Sequence, residues 1–187
     1  MSSAMAASPR WLTRANALTL VRLIAAPVLY LAILDDRVGL ACLVFWIAVA
    51  TDFADGWVAR RLGEVTPFGG LMDHGVDALF VVLGTTALAC TGALPPVLAP
   101  LIAIAFVQYT VDSRFLGGGA LAASRIGRWN GIAYYVIVAV PIMRDALGLA
   151  WPGAALVTAL GWALVASTLL SIADRLRRLI ASRHSRA

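Results

Sequence analysis

Residues 52–77 read DFADGWVARRLGEVTPFGGLMDHGVD, and this stretch places four aspartates at the junction of two apolar segments. On a helix, side chains three or four positions apart share one face. The first two aspartates therefore share a face of one helix, and the last two share a face of the next. Because consecutive antiparallel helices are neighbours, the sequence predicts one site formed by four carboxylates, those of Asp52, Asp55, Asp73 and Asp77.

Four carboxylates in one small site need cations, because like charges a few ångströms apart oppose each other's ionisation. A set of oxygen ligands without His or Cys favours hard divalent ions such as Mg²⁺, Mn²⁺ or Ca²⁺. Four carboxylates suffice for two ions, the arrangement used in many phosphate displacements. Gly56 and Ala59 leave room for a ligand against the helix, and Arg60 offers a planar fork for a phosphate. These residues predict metal-dependent chemistry on a phosphorylated substrate.

The composition indicates a membrane protein. Of the 187 residues, 61% are hydrophobic and 13% are charged, and the mean hydropathy is +0.86, whereas soluble domains are about 45–50% apolar and about 25% charged. A soluble or disordered chain is excluded on these grounds. Six apolar segments approach the roughly 20 residues that a spanning helix needs, which predicts an all-α protein with six transmembrane helices, residues 17–34, 38–58, 74–92, 95–114, 129–149 and 152–172.

The basic residues predict the orientation. All 15 are arginines, so lysine Schiff-base chemistry and a Walker-type phosphate loop are excluded. With the N-terminus inside, only Arg37 and Arg144 lie on the outer side, in agreement with the positive-inside rule. Both termini and the acidic site are then cytoplasmic, and the location expected is the cytoplasmic membrane of a bacterium. The net charge of +5 is thereby a feature of topology, and no nucleic-acid partner is expected.

A single membrane domain, residues 1–187, accounts for the whole sequence. Residues 1–15 form a short amphipathic arm at the membrane interface, and residues 16–172 form the six-helix core. Residues 173–187 form a basic cytoplasmic tail, in which Leu176, Leu179 and Ile180 are mixed with arginines, a pattern typical of an amphipathic segment on the inner leaflet.

The aspartate stretch resembles the signature of the CDP-alcohol phosphotransferase family, D-x2-D-G-x2-A-R-x8-G-x3-D-x3-D. All eight fixed positions match with the spacing intact, namely Asp52, Asp55, Gly56, Ala59, Arg60, Gly69, Asp73 and Asp77. The opening of the first segment, Asn16-x2-Thr19-x2-Arg22, and the six-span topology extend the resemblance over most of the chain. Within the family, the chain resembles phosphatidylglycerophosphate synthases.

The resemblance implies an enzyme that transfers a phosphatidyl group from CDP-diacylglycerol to an alcohol and releases CMP, with Mg²⁺ or Mn²⁺, two ions, as cofactor. It also implies a homodimer. By position, Asp52, Asp55 and Asp73 would hold the metals, while Asp77 would complete the metal site and act as catalytic base. The residues that would contact the cytidine diphosphate are Asp55, Gly56, Ala59, Arg60 and Gly69.

The acceptor is less well defined by the sequence. Arg114, Arg125 and Arg128 lie between the fourth and fifth segments, where they either bind a phosphorylated acceptor or only follow the positive-inside rule. The best match is sn-glycerol 3-phosphate, with an inositol phosphate or another polar alcohol as the alternative. Ala78 stands where phosphatidylglycerophosphate synthases often have Lys, which weakens that choice. Asp112 is either a ligand or an ion-pair partner of Arg114.

Three alternatives remain for the aspartates: an idle cluster at the membrane interface, a membrane prenyltransferase, or a small polytopic cation or proton transporter. Prenyltransferases typically need more spans and two separate aspartate-rich motifs. A transporter would place its carboxylates at the centre of the bilayer, whereas here they lie beside Arg60 and Arg61 at the end of a segment.

Overall fold

The computed structural model describes the backbone of residues 14–62, 67–115 and 125–184, and the side chains of residues 19–54, 61, 70–111 and 126–178. Within these ranges all regular structure is helical, which confirms the predicted class. Each of the six helices overlaps one predicted apolar segment: α1 Arg14–Leu34, α2 Val38–Leu62, α3 Pro67–Cys90, α4 Leu98–Phe115, α5 Arg125–Ala146 and α6 Ala154–His184.

The helices form a membrane protein. Among the residues that the structure describes, three stretches are long and apolar enough to cross a bilayer, Gly70–Cys90, Ile126–Ala146 and Ala154–Arg178. The other three helices contribute shorter apolar stretches. Large apolar side chains cover the outside of the bundle, for example Ile24 at 60% exposed and Val107 at 63%, as lipid contact requires and as soluble surfaces rarely show. That all six helices cross the membrane stays a prediction.

Two helices differ from their predicted limits. Helix α3 begins at Pro67 rather than at residue 74, so residues 67–73 form about two further turns at its start. Proline suits this position because the first helical N–H has no partner in the helix. Helix α6 continues for 31 residues to His184, about 46 Å at 1.5 Å per residue. The predicted C-terminal segment is therefore a continuation of α6 as far as residue 184, and the N-terminal arm lies outside the described residues.

The core brings α1, α3 and α5 into close contact. Ala26, Leu29 and Phe80 are fully buried. A Cβ added at Gly84 would lie 3.0 Å from Val138 Cγ1 and 3.3 Å from Leu29 Cδ2, so only glycine fits this crossing without a shift of its neighbours. The tight packing fixes α1 and α3 relative to each other, and with them the polar side chains at their neighbouring ends.

Candidate active site

An acidic cluster forms where the end of α2 meets the start of α3. One carboxylate oxygen from each of Asp52, Asp73 and Asp77 lies within 4.8 Å of the others. The structure thus brings together three of the four predicted metal ligands. The side chain of the fourth, Asp55, lies outside the described part of the chain. Helical spacing explains the arrangement, because Asp73 and Asp77 are one turn apart on α3.

Arg22 from α1 lies in the middle of this cluster. Its Nη1 donates to Asp52 Oδ1 at 2.7 Å and to Asp77 Oδ1, and its Nη2 donates to Asp73 Oδ1. The Arg22 side chain is only 1% exposed, whereas those of Asp52, Asp73 and Asp77 are 40%, 36% and 19% exposed. The cluster is therefore a buried guanidinium in contact with three carboxylates whose side chains are partly exposed.

Arg22 was not predicted as a site residue, because the positive-inside rule alone accounts for its charge. A signal was present, since a charged side chain inside an apolar segment needs a partner at the same depth. The family resemblance also included Arg22 without giving it a role.

The donor set fits a hard divalent cation. Oxygen ligands on opposite sides of one ion lie about 4.2 Å apart for Mg²⁺ and about 5 Å apart for Ca²⁺, and the three carboxylate oxygens lie within 4.8 Å of one another. Each carboxylate has a second oxygen beyond the one that accepts from Arg22. The cluster can therefore hold a cation.

A cavity of about 370 Å³ lies among α3, α4, α5 and α6. His74, which directly follows Asp73, forms part of its wall, and the rest comes from α4, α5 and α6. Two arginines reach it, the exposed Arg128 from α5 and the half-buried Arg175 from α6. Its volume is that of a pocket for a small ligand, and its arginines favour an anion.

Aromatic side chains hold the basic residues of this cavity. The Arg175 guanidinium lies 4.9 Å from the centre of the Tyr109 ring, a cation–π contact that orients it. The His74 ring packs between Phe106 and Tyr109, with 4.8 Å to each ring centre. The cavity therefore has fixed walls on the α3–α4 side.

Hydrogen bonds join the helices behind the cavity. The Tyr134 hydroxyl lies 2.9 Å from Thr168 Oγ1, and Ser167 Oγ donates to Asn130 Oδ1 at 2.7 Å, so α5 is tied to α6. Gln108 Nε2 donates to the Ile172 carbonyl at 3.3 Å, which ties α4 to α6. These bonds set the spacing of the helices that carry the two cavity arginines.

The structure supports the predicted acceptor residues unevenly. Arg128 lines the cavity, while the side chains of Arg114 and Arg125 lie outside the described residues. Arg175 was not predicted as a site residue, because it lies in the basic amphipathic segment, residues 173–187. The predicted cytidine-diphosphate contacts also fall outside the described side chains, namely Asp55, Gly56, Ala59, Arg60 and Gly69.

Comparison with known proteins shows the family of the chain. The family described as CDP-alcohol phosphatidyltransferase matches residues 12–176. A CDP-diacylglycerol--glycerol-3-phosphate 3-phosphatidyltransferase of Cereibacter sphaeroides is 30% identical over 141 residues, 71% of this chain and 64% of the relative. A Pseudomonas fluorescens protein of the same name is 36% identical over 76 residues, 39% of each chain. A cardiolipin synthase (CMP-forming) of Oryza sativa is 35% identical over 89 residues, 46% of this chain and 27% of the relative.

The family match covers most of the chain, including the three helices that form the acidic cluster. The protein therefore belongs to the CDP-alcohol phosphatidyltransferase family, a family of transferases, as the aspartate signature predicts. The matched regions cover less than two thirds of the length of each of these relatives.

Proposed function

We propose that the protein transfers the phosphatidyl group of CDP-diacylglycerol to sn-glycerol 3-phosphate and releases CMP, a step of phospholipid synthesis. The observation that carries this proposal is the pair of arginines, Arg128 and Arg175, in a cavity whose wall includes His74, the residue that follows Asp73 of the acidic cluster. Two relatives bear the name of this reaction. An inositol phosphate or another polar alcohol is the alternative acceptor. Membership of a transferase family disfavours a cation or proton transporter.

Asp52, Asp73 and Asp77, together with Asp55, would hold the divalent ions, Mg²⁺ or Mn²⁺ and two in number. The close approach of the three described carboxylates supports this assignment. When bound, such ions offset the charge of the diphosphate and the charge that develops on departing CMP.

Asp77 is proposed as the base. An alcohol is a weak nucleophile until a carboxylate takes its proton. The acceptor oxygen then forms a bond to the phosphatidyl phosphorus, the bond from that phosphorus to the CMP oxygen breaks, and CMP leaves with the bonding electrons. Asp77 keeps the acceptor proton. Its position supports the role, because it is the least exposed of the three carboxylates, at 19%, and lies one turn from Asp73.

The cavity arginines would bind the phosphate of the acceptor. Arg175 is already oriented by the Tyr109 ring, and a guanidinium can bind phosphate through two parallel hydrogen bonds. Arg114 and Arg125 are proposed to contribute from the neighbouring stretch. His74 of the cavity wall directly follows Asp73 on α3. We propose that a short acceptor, with its phosphate at Arg128 and Arg175, extends its hydroxyl toward Asp77.

The donor would lie over the other side of the cluster. Asp55, Gly56, Ala59, Arg60 and Gly69 are proposed to contact its cytidine diphosphate, on the basis of the family signature. We further propose that all six helices span the membrane, with both termini and the site on the cytoplasmic side, and that the protein is a homodimer. The distribution of arginines supports the orientation, and the family resemblance supports the dimer.

Release of CMP by the purified full-length protein in lipid nanodiscs, with Mn²⁺ and CDP-diacylglycerol, tests the proposal. The acceptors to compare are glycerol 3-phosphate, inositol 1-phosphate, phosphatidylglycerol and serine. We expect the fastest release with glycerol 3-phosphate, and a lipid product that contains a second phosphate. Faster release with phosphatidylglycerol would instead assign the chain the reaction that its Oryza sativa relative is named for. No release with any phosphorylated acceptor would contradict the proposal.

A further inference from the structure

Arg22 is a charged side chain that the proposed reaction leaves without a role. It is 1% exposed and contacts Asp52, Asp73 and Asp77, whereas α1 contributes no acidic residue to the cluster. Burying a guanidinium is costly unless it is paired and hydrogen-bonded. We infer that Arg22 is a positioning residue of the cation site, which holds one oxygen of each carboxylate so that the other oxygen faces the divalent ion. This inference rests on the proposed metal site.

The pattern of hydrogen bonds supports this role. Arg22 reaches the Oδ1 atom of all three aspartates, and a carboxylate can accept on both of its oxygens. None of these three bonds uses an Oδ2 atom, so in the proposed site the Oδ2 atoms face the ion. Carboxylates that bind metals are commonly oriented in this way by a hydrogen-bond donor behind them. The exposure agrees, since the guanidinium lies on the buried side and the aspartates are partly open.

The charges support it as well. Three ionised carboxylates within 4.8 Å would repel one another. The guanidinium lowers the repulsion among the carboxylates that would drive the side chains apart. The group keeps a net charge of minus two, which attracts a divalent ion. A guanidinium is suited to this place because its five donors have a fixed planar geometry and it stays ionised.

The packing of α1 makes the position of Arg22 rigid. One turn further along α1, Ala25 and Ala26 are buried, and Leu29 contacts the Gly84 crossing on α3. A site held by rigid helices keeps its geometry better than one held by loops. We therefore expect the loss of Arg22 to weaken ion binding without unfolding the bundle.

Mn²⁺ binding to the full-length protein in nanodiscs, measured by electron paramagnetic resonance of the free ion without any substrate, tests the inference. We expect Arg22→Gln to weaken Mn²⁺ binding about ten- to a hundredfold, the usual effect of removing a residue that orients a metal ligand. Arg22→Lys keeps the charge but not the fork, so we expect an intermediate affinity. Arg37→Gln is the matched control, because Arg37 is exposed and contacts only Asp35 among the ion pairs described. The Arg37→Gln protein should bind Mn²⁺ with the wild-type affinity.

An equal or tighter affinity in Arg22→Gln would overturn the inference, because it would mean that the guanidinium competes with the ion for the same oxygens. If Arg22→Gln does not give a folded protein, the comparison of Arg22→Lys with the wild type decides, and equal affinities overturn the inference. Failure of the wild-type protein to bind Mn²⁺ would contradict the proposed metal site itself, and the role of Arg22 with it. The two failures are therefore distinguishable.

Discussion

The acidic cluster and the basic cavity lie side by side but are built differently. The cluster takes its side chains from α1, α2 and α3, and three carboxylates surround one guanidinium. Among the described residues, the cavity takes its walls from α3, α4, α5 and α6, and its arginines are Arg128 and Arg175. The two regions meet at consecutive residues of α3, Asp73 and His74. One short helical segment thus separates a place for cations from a place for anions.

This separation has a chemical use. A phosphorylated acceptor would be repelled by the carboxylates if its phosphate had to lie among them. With its phosphate beside Arg128 and Arg175, only the neutral hydroxyl has to approach the acids. The comparison predicts that substitutions in the cluster affect ion binding and turnover, and that substitutions in the cavity affect the acceptor.

The largest effect is expected from Asp77→Asn. Removal of a general base typically costs about 10²- to 10⁴-fold, so CMP release should fall by that factor while the protein stays folded and still binds CDP-lipid. CMP release and a donor-binding assay on the same preparation measure both. Asp174→Asn is the control, because Asp174 pairs only with Arg178 among the ion pairs described. Normal turnover in Asp77→Asn would remove Asp77 as the base.

Asp52→Asn should act mainly on the metal. Removal of a residue that only orients a metal ligand typically weakens metal binding about ten- to a hundredfold. Loss of the Asp52 carboxylate, a ligand itself, should therefore raise the Mn²⁺ concentration for half-maximal activity by at least that factor. The titration of activity with Mn²⁺, at saturating acceptor, measures this shift. The KM for glycerol 3-phosphate should stay near the wild-type value. A rise in that KM at saturating Mn²⁺ would contradict the assignment of acceptor binding to the cavity alone.

Arg128→Ala should act mainly on the acceptor. A hydrogen bond to a charged group contributes about 1.5–3 kcal/mol, so the KM for glycerol 3-phosphate should rise about ten- to a hundredfold. The KM for CDP-diacylglycerol should change little. Steady-state kinetics with each substrate varied in turn show the difference. If the two KM values rise together, Arg128 serves the donor or the fold instead.

A smaller effect is expected from Tyr134→Phe, which removes the hydrogen bond to Thr168 behind the cavity. The loss should cost about 1 kcal/mol of stability, because Thr168 keeps its bond to the Leu164 carbonyl at 2.7 Å. The KM for the acceptor should rise less than tenfold, and Mn²⁺ affinity should not change. Thermal unfolding and a Mn²⁺ titration check both, and a weakened Mn²⁺ site would mean that the regions are mechanically coupled.

The two regions also differ in how far the sequence predicts them. The six apolar segments predict the helices because each is a continuous run, and the spacing of Asp52, Asp73 and Asp77 predicts the cluster because α2 and α3 are consecutive. Boundaries were less accurate, since Pro67 begins α3 and α6 continues through the basic segment. Hydropathy marks where an apolar run ends, but the helix itself can continue into the polar residues that follow, so its end is not visible in the sequence.

Contacts between distant parts of the chain could not be predicted from one sequence. Arg22 lies 30 positions from Asp52 and 55 from Asp77, and no periodicity connects them. The same holds for the cavity, where Gln108 and Ile172 are 64 positions apart. Arg175 has the same pattern of neighbours as the other arginines of its segment, so only the packing of α6 against α4 distinguishes it.

The claim that the cavity holds the acceptor phosphate beside the acids is tested most directly by one ratio. The ratio is kcat/KM for glycerol 3-phosphate divided by kcat/KM for glycerol, measured in the wild type, in Arg175→Ala and in Arg177→Ala, whose exposed side chain does not line the cavity. We predict a large ratio in the wild type and in Arg177→Ala, and a ratio at least tenfold smaller in Arg175→Ala. An unchanged ratio in Arg175→Ala would contradict the account.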